Sequence, residues 1–203
     1  NYFEASKHLT RFVSEFKGKN HIKSAYQKLA WIAYLEGDII KMDVNFSKTI
    51  EFGDRSIDVD KKAYKDAIHA FISDPILLKA RLLYDGGYYK RGLDELKKFK
   101  KTNDFYNSEN IIEYWYRFAR IASKLNYSAN KVIDYYQLVL EKGNSKTTYF
   151  APMSALQIGL IYEKKDDFKR AKNYFEKCLK MSGFDYQKGI HQKAEAGLAR
   201  ISN

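Results

Sequence analysis

One cysteine, Cys178, and two prolines, Pro75 and Pro152, occur in 203 residues. A lone thiol rules out an internal disulfide framework and a thiolate metal cluster, and it fits cytosol, periplasm or a secreted setting equally. The scarcity of proline and the near absence of apolar–polar alternation remove the punctuation and the period of an all-β chain. No apolar run approaches the roughly 20 residues that a bilayer-crossing helix requires. His8, His21, His69 and His191 are far apart, and none shares a metal-ligand spacing with a cysteine, a carboxylate or another histidine. A phosphate-cradling glycine loop, a serine nucleophile elbow and a Cys-His motif are all missing, and Gly86-Gly87 reads as a turn pair. Asp166-Asp167 and the pair Glu109 and Glu113 fall at a predicted turn and a predicted exposed helix start. Carboxylates there serve as caps and helix-dipole partners, because acid–base work needs burial or a neighbour that separates the pKa values. The expectation is a non-catalytic chain with no metal and no cofactor.

What the sequence does have is charge, aromatic side chains and a helical period. Thirty-six Lys and Arg stand against twenty-five Asp and Glu, a net charge of +11. That balance favours anionic partners, and with 17 tyrosines it admits nucleic-acid binding as an alternative, since single-strand binders combine positive charge with stacking rings. Outside the run at 97–101, however, the charges are scattered through amphipathic stretches, as on solvated helix faces. A chain of this length buries roughly 70% of the surface its unfolded form exposes, so a real core is expected.

The period resolves into repeats. Small residues at Ala30, Ala80, Ala119 and Gly159 anchor four similar stretches at separations of 50, 39 and 40 residues, within the range of stacked helix hairpins. Each stretch predicts two helices joined by a short turn, at Gly37-Asp38, Gly86-Gly87, Asn126-Tyr127-Ser128 and Lys165-Asp166-Asp167, the third with one extra turn residue. Glycine and asparagine suit the left-handed residue that ends a helix, and aspartate or serine can cap the next. Asp74-Pro75 marks one helix start, and Asn107 or Ser108 marks another. The small anchors have a steric purpose: where helices cross closely, a side chain no larger than methyl lets the backbones approach while a bulky residue one turn away fills the space beside them. Gly159 and Ala171 are expected at such a crossing, with Tyr162 and Phe175 around it.

With these residues in place, the chain resembles the tetratricopeptide repeat family. The fourth stretch matches it through Gly159, Tyr162, Ala171 and Phe175, with Cys178 where a small alanine is usual. The third matches through Trp115, Phe118, Ala119, Val132 and Tyr136. The first matches through Leu29, Ala30, Gly37, Asp38 and Phe46 but departs at Met42 and Thr49. The second matches through Ala80, Tyr84, Gly87 and Gly92 but carries Lys79 where an apolar residue is expected. The resemblance implies an all-α, right-handed α–α superhelix, a solenoid of stacked hairpins. One array is expected over 1–203, with units at 20–53, 74–100, 108–142 and 148–182, partial repeats or capping helices at 2–17 and 185–201, and an extra helix at 55–72. Because the chain opens Asn1-Tyr2-Phe3 and its end stretches look like half repeats, a piece of a longer solenoid is expected.

The same resemblance implies a protein-interaction scaffold that binds a peptide or protein partner along a concave face lined by the first helices. Carried onto this chain, that face comprises Gln27, Trp31, Tyr34, Arg81, Tyr84, Tyr116 and Arg120, with Leu160 and Glu163 in the fourth unit. Rings give contact area at small entropic cost and guanidinium groups grip carboxylates in a fork, so a peptide with an acidic group or a free C-terminus suits such a groove. The alternative is that these aromatic residues pack against neighbouring repeats. The pattern is similar to repeat proteins of the Gram-negative bacterial envelope, which favours a periplasmic or membrane-associated home over the cytoplasm while leaving the compartment open.

Overall fold

The computed structural model describes residues 2–102, 108–142 and 148–202, with the side chains of 100–102, 108 and 109 outside that description. Asn107, the side chain of Glu109, and those of Lys100 and Lys101 in the basic run therefore lie outside the described residues. Among those described there are eleven α-helices and no strand, the all-α class expected. None is long and apolar enough to cross a membrane. The chain divides into two compact units, Asn1–Pro75 and Ile76–Asn203. The first holds α1 (Tyr2–Glu15), α2 (Ile22–Leu35), α3 (Ile39–Glu51) and α4 (Asp58–Ile68). Then come α5 (Pro75–Asp85), α6 (Tyr89–Thr102), α7 (Ser108–Lys124), α8 (Ala129–Lys142), α9 (Phe150–Lys164), α10 (Phe168–Leu179) and α11 (Gln187–Ile201). Helix α5 starts at the predicted proline, and α7 starts at Ser108.

Four hairpin corners are built alike. Seven residues after each anchor stands a left-handed residue: Gly37, Gly87, Asn126 and Asp166, with φ of 81°, 81°, 58° and 55°. The next amide closes the corner onto a carbonyl five residues back, as Asp38 N to Ala33 O, Tyr88 N to Leu83 O, Tyr127 N to Ala122 O and Asp167 N to Tyr162 O, at 2.8–3.1 Å. This is the Schellman arrangement, which satisfies carbonyls that the helix end would otherwise orphan. Asp38 and Asp167 then cap the following helices, their carboxylates accepting the amides of Lys41 and Arg170. Ser128 is the extra residue of the third corner, so α8 begins one position later than α3, α6 and α10 do.

The constant offset fixes which side chains meet. Ala30, Ala80 and Ala119 are fully buried, and so is Gly159 in its helix. One register further, the second helices bury Phe46, Leu96, Tyr136 and Phe175, and a turn later Thr49, Phe99, Val139 and Cys178. The tightest crossing surrounds Phe175. A Cβ added at Gly159 would lie 2.6 Å from the Phe175 ring, and one added at Gly197 of α11 would also lie 2.6 Å from it. The ring is thus held between two helices that can approach only because both present glycine. Cys178 occupies its small site without exposure, and burial pushes its thiol up to about 11.

Residues 1–75 are tied together by polar groups. The Asp60 carboxylate of α4 is fully buried and accepts the amides of His21, at 2.6 Å, and Ser24, at 2.9 Å. It thereby caps α2 from another helix, where His21 at the N-cap supplies no side-chain bond of its own. Lys23 is buried, and its ammonium donates to the carbonyls of Thr49 and Ile50 at 2.9 and 2.8 Å, closing the C-terminal end of α3. Gln27 donates to Asp66 of α4 at 2.9 Å, and Asp66 also pairs with Lys62.

In residues 76–203 the core is largely aromatic and aliphatic. Gly92 lets α6 approach the Ala80 carbonyl and Ile121. Rings of Phe99, Tyr114, Trp115, Phe118 and Tyr135 run in successive contact at 4.7–6.0 Å. Arg117 is fully buried, with Nε and Nη2 donating to Glu113 at 3.1 and 2.8 Å and the guanidinium 5.5 Å from the Phe150 ring.

Candidate functional site

Within residues 76–203 the first helices of successive hairpins border one groove of about 400 Å³, lined by Tyr84 of α5, Tyr116, Arg120, Ser123 and Lys124 of α7, Met153, Leu156, Gln157 and Leu160 of α9, and Lys193 of α11, with Tyr136 of α8 between them. Helical spacing puts them there: Tyr116, Arg120, Ser123 and Lys124 recur at three and four residues and share one face of α7, as do Met153, Leu156, Gln157 and Leu160 on α9. One wall is therefore aromatic and cationic, and the opposite one mainly apolar.

Arg120 is the centre of the polar wall. Its guanidinium lies 3.9 Å from the Tyr84 ring centroid and 5.7 Å from that of Tyr116, and it meets Asp85 at 3.7 Å. Asp85 is half exposed and is shared with Arg81 at 3.9 Å, so its one long contact with Arg120 neutralises that guanidinium only in part. Tyr116 and Tyr136 are almost wholly buried. Burial drives both phenols well above their ordinary value, with Tyr149 adding to the effect at Tyr116 and Arg120 opposing it at both. They remain neutral hydroxyls at any physiological pH. The lining carries three cations, Arg120, Lys124 and Lys193, and no carboxylate. The groove can thus offer charge-assisted hydrogen bonds to an anionic group beside apolar contact from Met153 and Leu160.

Of the residues expected on a binding face, Tyr84, Tyr116, Arg120 and Leu160 come together here. Arg81 is joined to them through Asp85 without entering the lining. Glu163 is held at the α9–α11 contact, where Arg200 donates to its two oxygens at 2.6 and 2.8 Å. In residues 1–75, Gln27 is buried with its amide committed to Asp66, Trp31 is buried, and Tyr34 is half-buried, its phenol raised by burial and by Asp74. Ser123 escaped the reading from sequence although it stands four residues after its anchor, as Tyr34, Tyr84 and Glu163 do after theirs. Leu156 likewise shares the register of Tyr116. Lys193 precedes Gly197 by one turn of a helix whose place in the repeat only the last glycine betrays, and Tyr136 enters from a second helix, which no first-helix rule could supply. Among the described residues no group of three His, Cys, Asp or Glu side chains converges as metal ligands do.

Residues 154–185 match the sequence model of the tetratricopeptide repeat family. The match runs from α9 through α10 and includes Gly159, Ala171, Phe175 and Cys178, so this hairpin is similar to a tetratricopeptide repeat, within an all-α fold of helix hairpins. No curated protein matches the sequence. Helical repeats of this family typically serve as protein-interaction scaffolds and are typically non-catalytic.

Proposed function

We propose that this tetratricopeptide-repeat chain is a non-catalytic scaffold that holds an extended, acidic segment of a protein partner in the groove of residues 76–203. The reading treats residues 1–203 as one array and the groove as its recognition face. The observation that carries it is the lining itself: Arg120, Lys124 and Lys193 share it with Met153 and Leu160, and no carboxylate is among the lining residues. An extended peptide alternating acidic and apolar side chains would satisfy both walls, its carboxylates at the cations and its apolar groups on Met153 and Leu160. Arg120 is the anchor, because its stacking on Tyr84 fixes the plane of the guanidinium before any partner arrives and so lowers the entropy lost on binding.

The test is a titration of the full chain with a fluorescein-labelled eight-residue peptide of alternating Glu and Leu, followed by anisotropy. Binding should weaken as salt rises, and Arg120→Gln with Lys193→Gln should remove at least about tenfold in affinity, within the range for charge-assisted bonds. Unchanged affinity in a folded double variant would end the reading.

Nucleic-acid binding is the second reading, favoured by the concentration of charge in residues 76–203, where 24 Lys and Arg face 14 Asp and Glu. Against it, the rings near the groove have little face to offer a base: Tyr116 and Tyr136 are buried, and Arg120 covers Tyr84. Single-stranded RNA that bound more tightly than the acidic peptide, with affinity falling steeply in salt, would put this reading first.

A further inference from the structure

A second groove lies within residues 1–75, and we propose that it docks an acidic amphipathic helix. Its walls are α1, through Ser6, Thr10, Val13 and Ser14, and α3, through Lys41, Val44, Asn45 and Lys48; Tyr26 and Leu29 of α2 form the floor, and the space is about 340 Å³. Helices α1 and α3 each pack on α2, and the groove is the space left between them.

Three features select the occupant. The first is length and period. Each wall presents residues three, four and seven apart, so the groove runs for two helical turns, roughly 10 Å, and an apolar stripe of the same period on an incoming helix would interleave with it. The second is the height of the walls. Ser6, Thr10 and Ser14 give α1 a low rim against which a third helix can come close, while Val13, Val44 and the Tyr26 ring supply apolar contact. Ile40, one turn before Val44 on α3 and 82% exposed, extends that contact beyond the groove.

The third feature is charge. The charged side chains of the lining are Lys41 and Lys48, two turns apart on one face of α3, with no carboxylate among the lining residues. The Lys48 ammonium lies 5.9 Å from the Tyr26 ring centroid, where it borders both the apolar floor and the rim. A helix with a leucine stripe flanked by glutamates seven residues apart would pair with both lysines, and the same helix flanked by lysines would be repelled. This site is independent of the groove in residues 76–203: it takes a helix rather than an extended strand, and it uses none of the same residues.

The probe is a hydrocarbon-stapled 14-residue helix with leucines on one face and glutamates beside them, labelled and titrated into the full chain. The wild type should bind it, with affinity falling as salt rises. Lys41→Glu with Lys48→Glu should weaken binding by at least about tenfold, and Val44→Arg should abolish it by filling the groove. These side chains are exposed, so the circular dichroism of both variants should match the wild type. Arg120→Gln with Lys193→Gln should leave this affinity unchanged, which separates failure here from failure of the peptide reading above. A lysine-flanked version of the helix should bind the charge-reversed variant and not the wild type. Equal binding of both helices by the wild type would overturn the proposal. So would full affinity in the folded Lys41→Glu and Lys48→Glu variant, or displacement of the helix by vesicles of four parts phosphatidylcholine to one part phosphatidylserine.

Discussion

Residues 1–75 and 76–203 use the same corner but stabilise their hairpins differently. In the first unit 12 Lys and Arg meet 11 Asp and Glu, and the helices are joined by carboxylate, ammonium and amide groups that reach across 26–39 residues to backbone or side-chain partners. In the second unit the charge is strongly positive, and the tightest crossings are a ring between glycines and a small residue against a carbonyl. The outer surfaces differ in the opposite sense. Of the thirteen large apolar side chains exposed among the described residues, ten belong to the first unit, including Phe3, Ile40 and Val44, and three, Tyr88, Tyr127 and Phe168, to the second. The first unit thus carries the larger share of exposed apolar side chains. The interior of the second unit nonetheless holds the Arg117–Glu113 pair among its rings and small residues.

The largest effect expected on this contrast comes from Phe175. Replacing it by alanine should cost about 3–5 kcal/mol, because the ring fills the whole gap between α9 and α11 and glycines on either side cannot close it. Gly159→Ala should cost about 1–3 kcal/mol through overpacking, and Phe175→Leu should relieve part of that cost in the double variant. Urea denaturation of the four proteins measures the coupling. Additive losses would mean that the ring has room to move, and the clamp would then not distinguish the second unit. Hydrogen exchange should place the loss in α9–α11 and leave the amides of α2 protected.

Asp60 probes the other half. Its carboxylate accepts two amides at the start of α2 with no exposure to water, so Asp60→Ala should cost about 1.5–3 kcal/mol, the range for a lost charged hydrogen-bond acceptor. Asp60→Asn, which keeps one acceptor oxygen, should recover part of it. Exchange should quicken in α2 and not in α9. Loss of protection in both units from either substitution would show that they unfold as one body, and the comparison would fail as a statement about energetics.

These two sites also mark what could be read from sequence. The Phe175 crossing was legible because its parts recur at fixed intervals: a small residue, a left-handed corner seven residues later, a bulky residue nine after that. Periodicity carries that information even where Met42 or Lys79 breaks the pattern, since the corner and the buried bulky position, Phe46 or Leu96, persist. Asp60 was not legible. Helix α4 interrupts the repeat, and a carboxylate that caps a helix 36–39 residues earlier leaves no periodic trace. The same limit explains the groove. Tyr84, Tyr116, Arg120 and Leu160 follow from register, whereas Gln27 shares the register of Tyr116 and yet is buried, because Asp66 of the interrupting helix takes its amide. Register specifies which face of a helix a residue occupies, and what packs on that face is decided elsewhere in the chain.

The smallest effect separates the units by the pH range in which their stability responds, acid in one and alkaline in the other. Arg200 holds the Glu163 carboxyl below its ordinary value through hydrogen bonds that outweigh burial. A carboxyl depressed in the folded state adds stability that is complete above the unfolded value of 4.5 and is lost as pH falls through the folded one. Arg200 is half exposed, so the contribution should stay below about 1 kcal/mol. The stability gap between wild type and Glu163→Gln should therefore be level from pH 7 to 5 and close below 4.5. In the first unit Lys23 is depressed by burial, with Arg55 adding to it and Asp60 and Asp54 opposing. Between the folded value and the unfolded 10.5 the unfolded chain binds more protons, so stability rises with pH there, and the gap between wild type and Lys23→Met should widen as 10.5 is approached. An acid-side gap at Glu163 without an alkaline-side one at Lys23 would mean that the buried ammonium is solvated as freely as an exposed one, and the polar interior of residues 1–75 would lose its distinguishing feature.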